Sequence, residues 1–265
     1  MNRTDPTRAI RAIVTGSAGG IGSAIARGLA AHAQWLILVG RNEDALRALQ
    51  RSLGANTHVV AGDLTQAATL DAIVQLARSL GGLNLLVNNA GVCDFHAFET
   101  QDPVAIRSLV DTNLVAPMLL SRAVLPLLQA AAPSQIINVG SLFGFIGYPG
   151  FSAYGASKAG LRAFTQALRR ELADTGVDAR HFVPRATRTG INSERVVALN
   201  RDLRTVEDSP EMVASQFQHF LAGRHWETKI GAKETFFAFV NSLLPAMPDR
   251  AIRAQLPVIR KHMPK

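Results

Sequence analysis

Apolar residues along this chain fall into two alternating patterns. Short continuous runs rich in Val, Ile and Leu sit at 12–14, 35–39, 58–61, 85–87, 136–139 and 179–183. Between them lie longer stretches at 21–33, 43–53, 67–80, 103–131 and 153–174, with helical rather than alternating polarity. The runs predict strands covered on both faces, and the stretches predict helices. Asn42 is placed to cap the helix at 43, and Gly81-Gly82 to end the one at 67–80. Pro117 and Pro126 predict kinks in the stretch at 103–131. The alternation predicts an α/β fold, a doubly wound parallel sheet with helices on both faces, in a single domain over 1–265.

Composition narrows the function classes. A chain of 265 residues with 48% hydrophobic content suits one large core. No run of about 18 apolar residues occurs, which predicts no membrane span. The polar start leads into no apolar stretch of secretory type, so a cytoplasmic location is expected. The single cysteine, Cys93, excludes an internal disulfide and any cysteine cluster for a metal, and the seven histidines have no ligand spacing. The net charge is +8, of which +6 lies in residues 159–265. Those charges are scattered and carry no aromatic-rich motif, which argues for a solvated basic surface and against nucleic-acid binding.

The first strand leads into Thr15-Gly16-Ser17-Ala18-Gly19-Gly20-Ile21-Gly22 and then into a helix. Glycines there let a pyrophosphate approach the helix N-terminus, where free N–H groups and the helix dipole favour an anion. The second strand ends in Gly40-Arg41, where an NAD site would carry an acidic residue for the ribose hydroxyls. A guanidinium suits a phosphate, which predicts NADP(H). Tyr154 and Lys158 are four apart on a predicted helix and share a face. A cation about 4 Å away at an effective dielectric near 20 favours phenolate by up to about 4 kcal/mol. That predicts a tyrosine of lowered pKa, able to act as acid or base.

The T-G-x-x-x-G-x-G loop, Asp63, Asn88-Asn89-Ala90-Gly91, Asn113, Ser141 and Tyr154-x-x-x-Lys158 occur in the order of the short-chain dehydrogenase/reductase family, and the chain resembles that family over most of its length. The resemblance implies a Rossmann fold and a ketone–alcohol interconversion by hydride transfer. It implies Asn113, Ser141, Tyr154 and Lys158 as the catalytic set, with Ser141 holding the substrate oxygen, Lys158 holding the nicotinamide ribose and Asn113 supporting a water. Cofactor contacts are expected at Gly16, Ser17, Gly19, Gly20, Ile21, Gly22, Arg41, Asp63, Leu64, Asn89, Ala90, Gly91, Tyr154, Lys158, Pro184, Thr187 and Thr189. The implied substrate is a 3-oxoacyl thioester or another hydrophobic carbonyl, and the implied assembly a homodimer or homotetramer. A non-catalytic NADP(H) sensor or scaffold is the alternative; sugar epimerases of the superfamily carry a shorter glycine loop.

The chain departs from the family pattern twice. Arg185 stands where the family has glycine after the sixth strand, so Arg185 or Arg188 is expected to face the cofactor or an anionic part of the substrate. A shortened last strand at 228–231 is followed by an atypical C-terminal extension, 232–265. There Phe236, Phe239, Val240, Leu243 and Leu244 form one apolar helical stripe. It reads as core or dimer contact, or as a cover for a lipid-like substrate or peripheral contact with a membrane.

Overall fold

A strand covered by helices on both faces sends alternate side chains into two cores, and the central strands of this chain do so with apolar residues on each side. The computed structural model describes residues 9–264. Seven parallel strands lie in the order β3-β2-β1-β4-β5-β6-β7. They are β1 (Ile10–Thr15), β2 (Ala33–Gly40), β3 (Thr57–Ala61), β4 (Leu85–Asn88), β5 (Ser134–Val139), β6 (Val177–Val183) and β7 (Glu227–Lys229). Ala12, Val14, Leu36 and Leu38 meet Ile25 and Leu29 of α1 (Gly20–Ala30), Leu46 of α2 (Glu43–Leu53) and Phe217 of a later helix. Ile13, Ile37 and Leu86 face the other way, onto Ile73 of α3 (Ala67–Ser79) and a long helical run that follows β4. The strand order reverses between β1 and β4, which opens a crevice at their carboxyl ends.

The long run is α4 (Pro103–Val110), a π-helical turn at Asp111–Val115, and α5 (Ala116–Ala130). Sequence alone predicts kinks at the two prolines; the irregularity instead precedes Pro117. Proline has no N–H for the carbonyl four residues back, that of Asn113, and the chain absorbs the mismatch as one wide turn. Pro126 sits inside α5, which continues past it. By length and composition Pro103–Ala130 would also suit a membrane span. Its Leu109, Ala116, Leu120, Val124 and Leu128 are buried in the protein.

After α6 (Ser152–Glu171) and β6 come two helices that the apolar pattern leaves unmarked, α7 (Glu194–Asp202) and α8 (Pro210–Ala222). Ser193 and Ser209 cap them by accepting from Val196 N and Met212 N. The extension forms α9 (Ala232–Leu243) and α10 (Ala246–His262). The α9 stripe is not core, since Phe236, Phe239, Leu243 and Leu244 are 58–66% exposed. The segment that does pack is α10: Ile259 is fully buried, and Val258 and Met263 join it against Phe95, Phe151 and Leu199.

Between β5 and the next turn, Gly140 lies against the imidazole of His181, and a Cβ there would fall 2.2 Å from Nε2. Gly147, seven residues on, has open space around it. Gly140→Ala should therefore cost at least about 2 kcal/mol in urea denaturation, the scale of overpacking in a rigid core. Gly147→Ala should stay within about 0.5 kcal/mol. Equal effects at the two positions would contradict this local geometry.

Candidate active site

Two loops meet at the crevice and are locked together by one hydroxyl and one amide. Thr15 Oγ1 accepts from the backbone N–H groups of Asn89 and Ala90, each at 3.0 Å. Asn89 Nδ2 donates to the carbonyls of Thr15 and Gly16 at 3.0 and 3.3 Å. Gly16 takes φ +66°, and a Cβ there would fall 2.8 Å from Ala90 Cα; one on Gly22 would fall 2.2 Å from the Gly16 carbonyl oxygen. The α1 helix starts at Gly20 with no side-chain cap and no acidic residue in its first turn. Its first N–H groups, around Gly20, Ile21 and Gly22, suit an anion. Ser17 faces the other way. It is fully buried, and its N–H and hydroxyl both donate to Val39 O at 3.1 and 3.2 Å, so its side chain ties the loop to β2.

At the end of β2, Arg41 is exposed and Gly40 has room, a Cβ there meeting nothing nearer than Leu46 at 3.6 Å. Asp63 accepts from Thr65 N at 2.9 Å and from its hydroxyl at 2.8 Å. Those bonds, and more weakly the charge of Arg41, hold its carboxyl below the usual range. Leu64 is buried in the α3 side of the core.

Asn113 lies in the π turn and is fully buried. Its Oδ1 accepts from Val92 N at 2.8 Å, and its Nδ2 donates to Val92 O at 2.8 Å and Ser157 Oγ at 3.1 Å. Ser157 in turn donates to the Tyr154 carbonyl at 2.7 Å. The Asn113 amide thus clamps the loop after Gly91 to the helix that carries Tyr154. Sequence reasoning singled out Asn113 and named Thr15 only as the start of the glycine-loop motif, and it passed over Ser157, whose hydroxyl looks like any other helix hydroxyl.

Lys158 is 5% exposed, and its Nζ donates to Val139 O at 3.1 Å. It stands 6.0 Å from the Tyr154 ring centroid and beside Gly91, where a Cβ would be 3.5 Å from Nζ. Ser141 caps the short turn Leu142–Gly144, accepting from Phe143 N at 3.2 Å, and its hydroxyl favours the ionised form of Tyr154. The expectation of an acidified tyrosine is corrected here. Burial pushes the Tyr154 phenol well above its ordinary value, Cys93 adds to the rise, and only Ser141 opposes it. Burial also pulls Lys158 down to about 8. Desolvation favours the neutral form of both groups and outweighs their mutual attraction at this separation. Cys93 reads as an inert thiol, pushed up to about 12 by its own burial.

The expectation is corrected for Arg185. Arg185 forms a two-pronged pair with Asp208, Nε and Nη2 to the two carboxylate oxygens at 2.9 and 2.7 Å, and reaches Glu234 at 3.5 Å. Two carboxylates on distant segments neutralise it, so it fastens the loop after β6 to the segment just before α8 and to α9. Arg188 donates to the Glu207 carbonyl at 3.0 Å and is exposed. Pro184 and Thr187 are buried, and the Thr187 hydroxyl donates to Arg185 O at 2.9 Å. Thr189 is different. Its methyl lies against Gly20, where a Cβ would fall 2.7 Å away, and its hydroxyl is buried without a partner. An orphan hydroxyl beside the glycine loop suits a carboxamide brought by a dinucleotide, so the residues present fit such a cofactor.

The sequence profile of the short chain dehydrogenase family matches residues 11–199. The 3-oxoacyl-(acyl-carrier-protein) reductase FabG of Vibrio cholerae is 33% identical over 195 residues, 73% of this chain and 78% of that protein. A short-chain dehydrogenase from Streptomyces avermitilis superposes with a TM-score of 0.79 at 25% identity, covering 96% of this chain and 97% of that one. A metagenomic short-chain oxidoreductase in complex with NADP gives 0.70 at 29% identity, covering 84% and 98%. With the loops locked at Thr15, the ordered set at Asn113, Ser141, Tyr154 and Lys158, and a profile match over most of its length, the chain belongs to the short-chain dehydrogenase family.

Proposed function

We propose that this protein reduces a ketone to a secondary alcohol with NADPH, and that 3-oxoacyl thioesters are the first substrate class to test. The observation that carries the reading is Tyr154 set one helical turn from Lys158, whose Nζ is 6.0 Å from its ring, with burial keeping the phenol protonated. A reduction needs a proton for the carbonyl oxygen, and a phenol that holds its proton at neutral pH starts in the right state. NADPH, when bound, supplies the hydride. Ser141 steadies the carbonyl oxygen against Tyr154, and Tyr154 donates the proton. Lys158 spends one of its three N–H groups on Val139 O and has two left for a ribose. Arg41, Asp63 and the first turn of α1 would hold the adenosine and phosphate end, and Thr189 the carboxamide.

The phosphate preference rests on Arg41, exposed where a carboxylate would select NAD. The thioester class rests on the names of the FabG relatives and on the +6 charge of residues 159–265, which suits an acidic carrier. The partly exposed Val115, Met118 and Leu119 beside the π turn suit a homodimer or homotetramer contact.

Tyr154→Phe should abolish NADPH oxidation with every ketone while leaving NADPH affinity within about twofold. Full turnover in that variant would overturn the reading, and tight cofactor binding without any turnover in the native protein would favour a sensor. Arg41→Ala should weaken NADPH at least about tenfold, the worth of one charge-assisted contact, and leave NADH unchanged; equal losses for both cofactors would remove Arg41 from phosphate recognition.

The lowered Lys158 also has a stability signature. Between its folded value of about 8 and its ordinary 10.5, the unfolded chain carries the proton and the folded chain does not. Unfolding free energy then rises with pH through that window. Lys158→Met should lack this rise, so urea titrations at about pH 8 and pH 9.5 should favour the native protein over the variant increasingly. Parallel pH dependence in the two would mean that Lys158 is not desolvated.

A further inference from the structure

A cavity of about 330 Å³ is walled by Cys93 and Phe95 after β4, by Ile191 and Val196 around the start of α7, and by Pro264 at the end of the chain. It adjoins the catalytic group. Cys93, Phe95 and Val196 of its wall belong to the same apolar cluster as Tyr154, Phe143 and Phe151. Its polar rim is Asp94, His96, Ser193 and Arg195, with Asp94 occupied by His96 at 2.6 Å and by Gln101 at 2.9 Å.

The wall that ends in Pro264 is delivered by α10. That helix is seated by Ile259, Val258 and Met263 in the cluster just named, and by the Tyr148 hydroxyl donating to Gln255 Oε1. Its last turn is tied at one point. Lys261 Nζ and His262 Nε2 both meet Asp202 Oδ2, at 2.9 and 2.8 Å, and Asp202 ends α7. The helix that carries Val196 on one side of the cavity thus holds the segment that closes the other. None of α10, nor Asp202, lies within the stretch matched by the family profile.

We propose that α10 is the substrate-side wall of this active site, latched to α7 through Asp202, and that the cavity beside it takes the compact apolar body of a ketone. The proposal rests on the reductase reading for its substrate. A volume near 330 Å³ is at the small end of ligand sites, which run from about 300 to 1,000 Å³. A short acyl or alkyl body fits it, and a long chain fits only when α10 swings away.

Cys93 makes this testable without turnover, because it is the chain's one cysteine and lines the cavity. A maleimide probe should label native protein slowly. Asp202→Ala should speed labelling at least about fivefold, and so should the Lys261→Ala/His262→Ala pair, which cuts the same latch from the other side. In the NADPH assay both variants should shift kcat/KM at least about fivefold toward long-chain 3-ketones relative to short ones. Equal labelling in native and variant proteins overturns the latch, whatever the activity. Faster labelling with an unchanged chain-length preference overturns α10 as a substrate wall. Absence of turnover in the native protein with every ketone would count against the reductase itself, and the labelling rates would still decide the latch.

Discussion

The buried carboxamide of Asn113 bonds in both directions to the backbone of Val92 and, across the site, to the hydroxyl of Ser157. Its position depends on the wide turn at Asp111–Val115, which lets the helix bring that side chain inward ahead of Pro117. Without it, the backbone groups of Val92 and the Ser157 hydroxyl would be left buried and short of partners, at about 1–3 kcal/mol each. The loop after Gly91 would then be free to drift from the helix of Tyr154 and Lys158. Thr15 performs the matching task on the other side of the crevice, holding Asn89 and Ala90 to the end of β1. Nucleotide loop, catalytic helix and sheet are thus fixed by two small polar side chains.

A buried polar seam extends this rigidity under the site. Asn88 Nδ2 donates to Asn138 Oδ1 at 2.8 Å and to Ser121 Oγ at 3.1 Å, and Asn138 Nδ2 donates to Thr165 Oγ1 at 2.8 Å. The seam joins β4, β5, α5 and α6 with paired donors and acceptors, the condition under which buried polar groups specify an arrangement instead of weakening it. Farther along, Glu227 accepts from Arg162 and Lys229 and pairs with His181, and these contacts hold its carboxyl at about 2 against the pull of burial. Tyr154 and Lys158 have no such partner set. Burial therefore dominates there, leaving Tyr154 protonated and Lys158 easily neutralised.

Much of this was legible in the sequence because it follows from local rules. Continuous Val/Ile/Leu runs gave β1, β2, β4, β5 and β6, and the Tyr154–Lys158 spacing put both groups on one helix face. What escaped depends on segments far apart in the chain. Arg185 looked like a ligand for an anion because Asp208 and Glu234, which neutralise it, lie 23 and 49 residues away. Core was among the readings of the α9 stripe because periodicity reports that a face is apolar and says nothing of what covers it. The Tyr154 expectation weighed a charge pair and omitted desolvation, which no local pattern reveals. For α7 and α8 a signal was present, Ser193 before Glu194 and Ser209 before Pro210-Glu211, and weak apolar periodicity hid it.

The extension lies outside the stretch matched by the family profile, while the proposed transfer of hydride and proton rests on the loops and helix within residues 11–199. The most direct test of that central claim follows an isotope. Reduction of an acetoacetyl thioester by the native protein with NADPH carrying deuterium at both C4 positions of the nicotinamide should place deuterium on the carbinol carbon of the product, with the hydroxyl proton coming from Tyr154 and solvent. Product lacking deuterium at that carbon, formed while the cofactor is bound, would contradict the account.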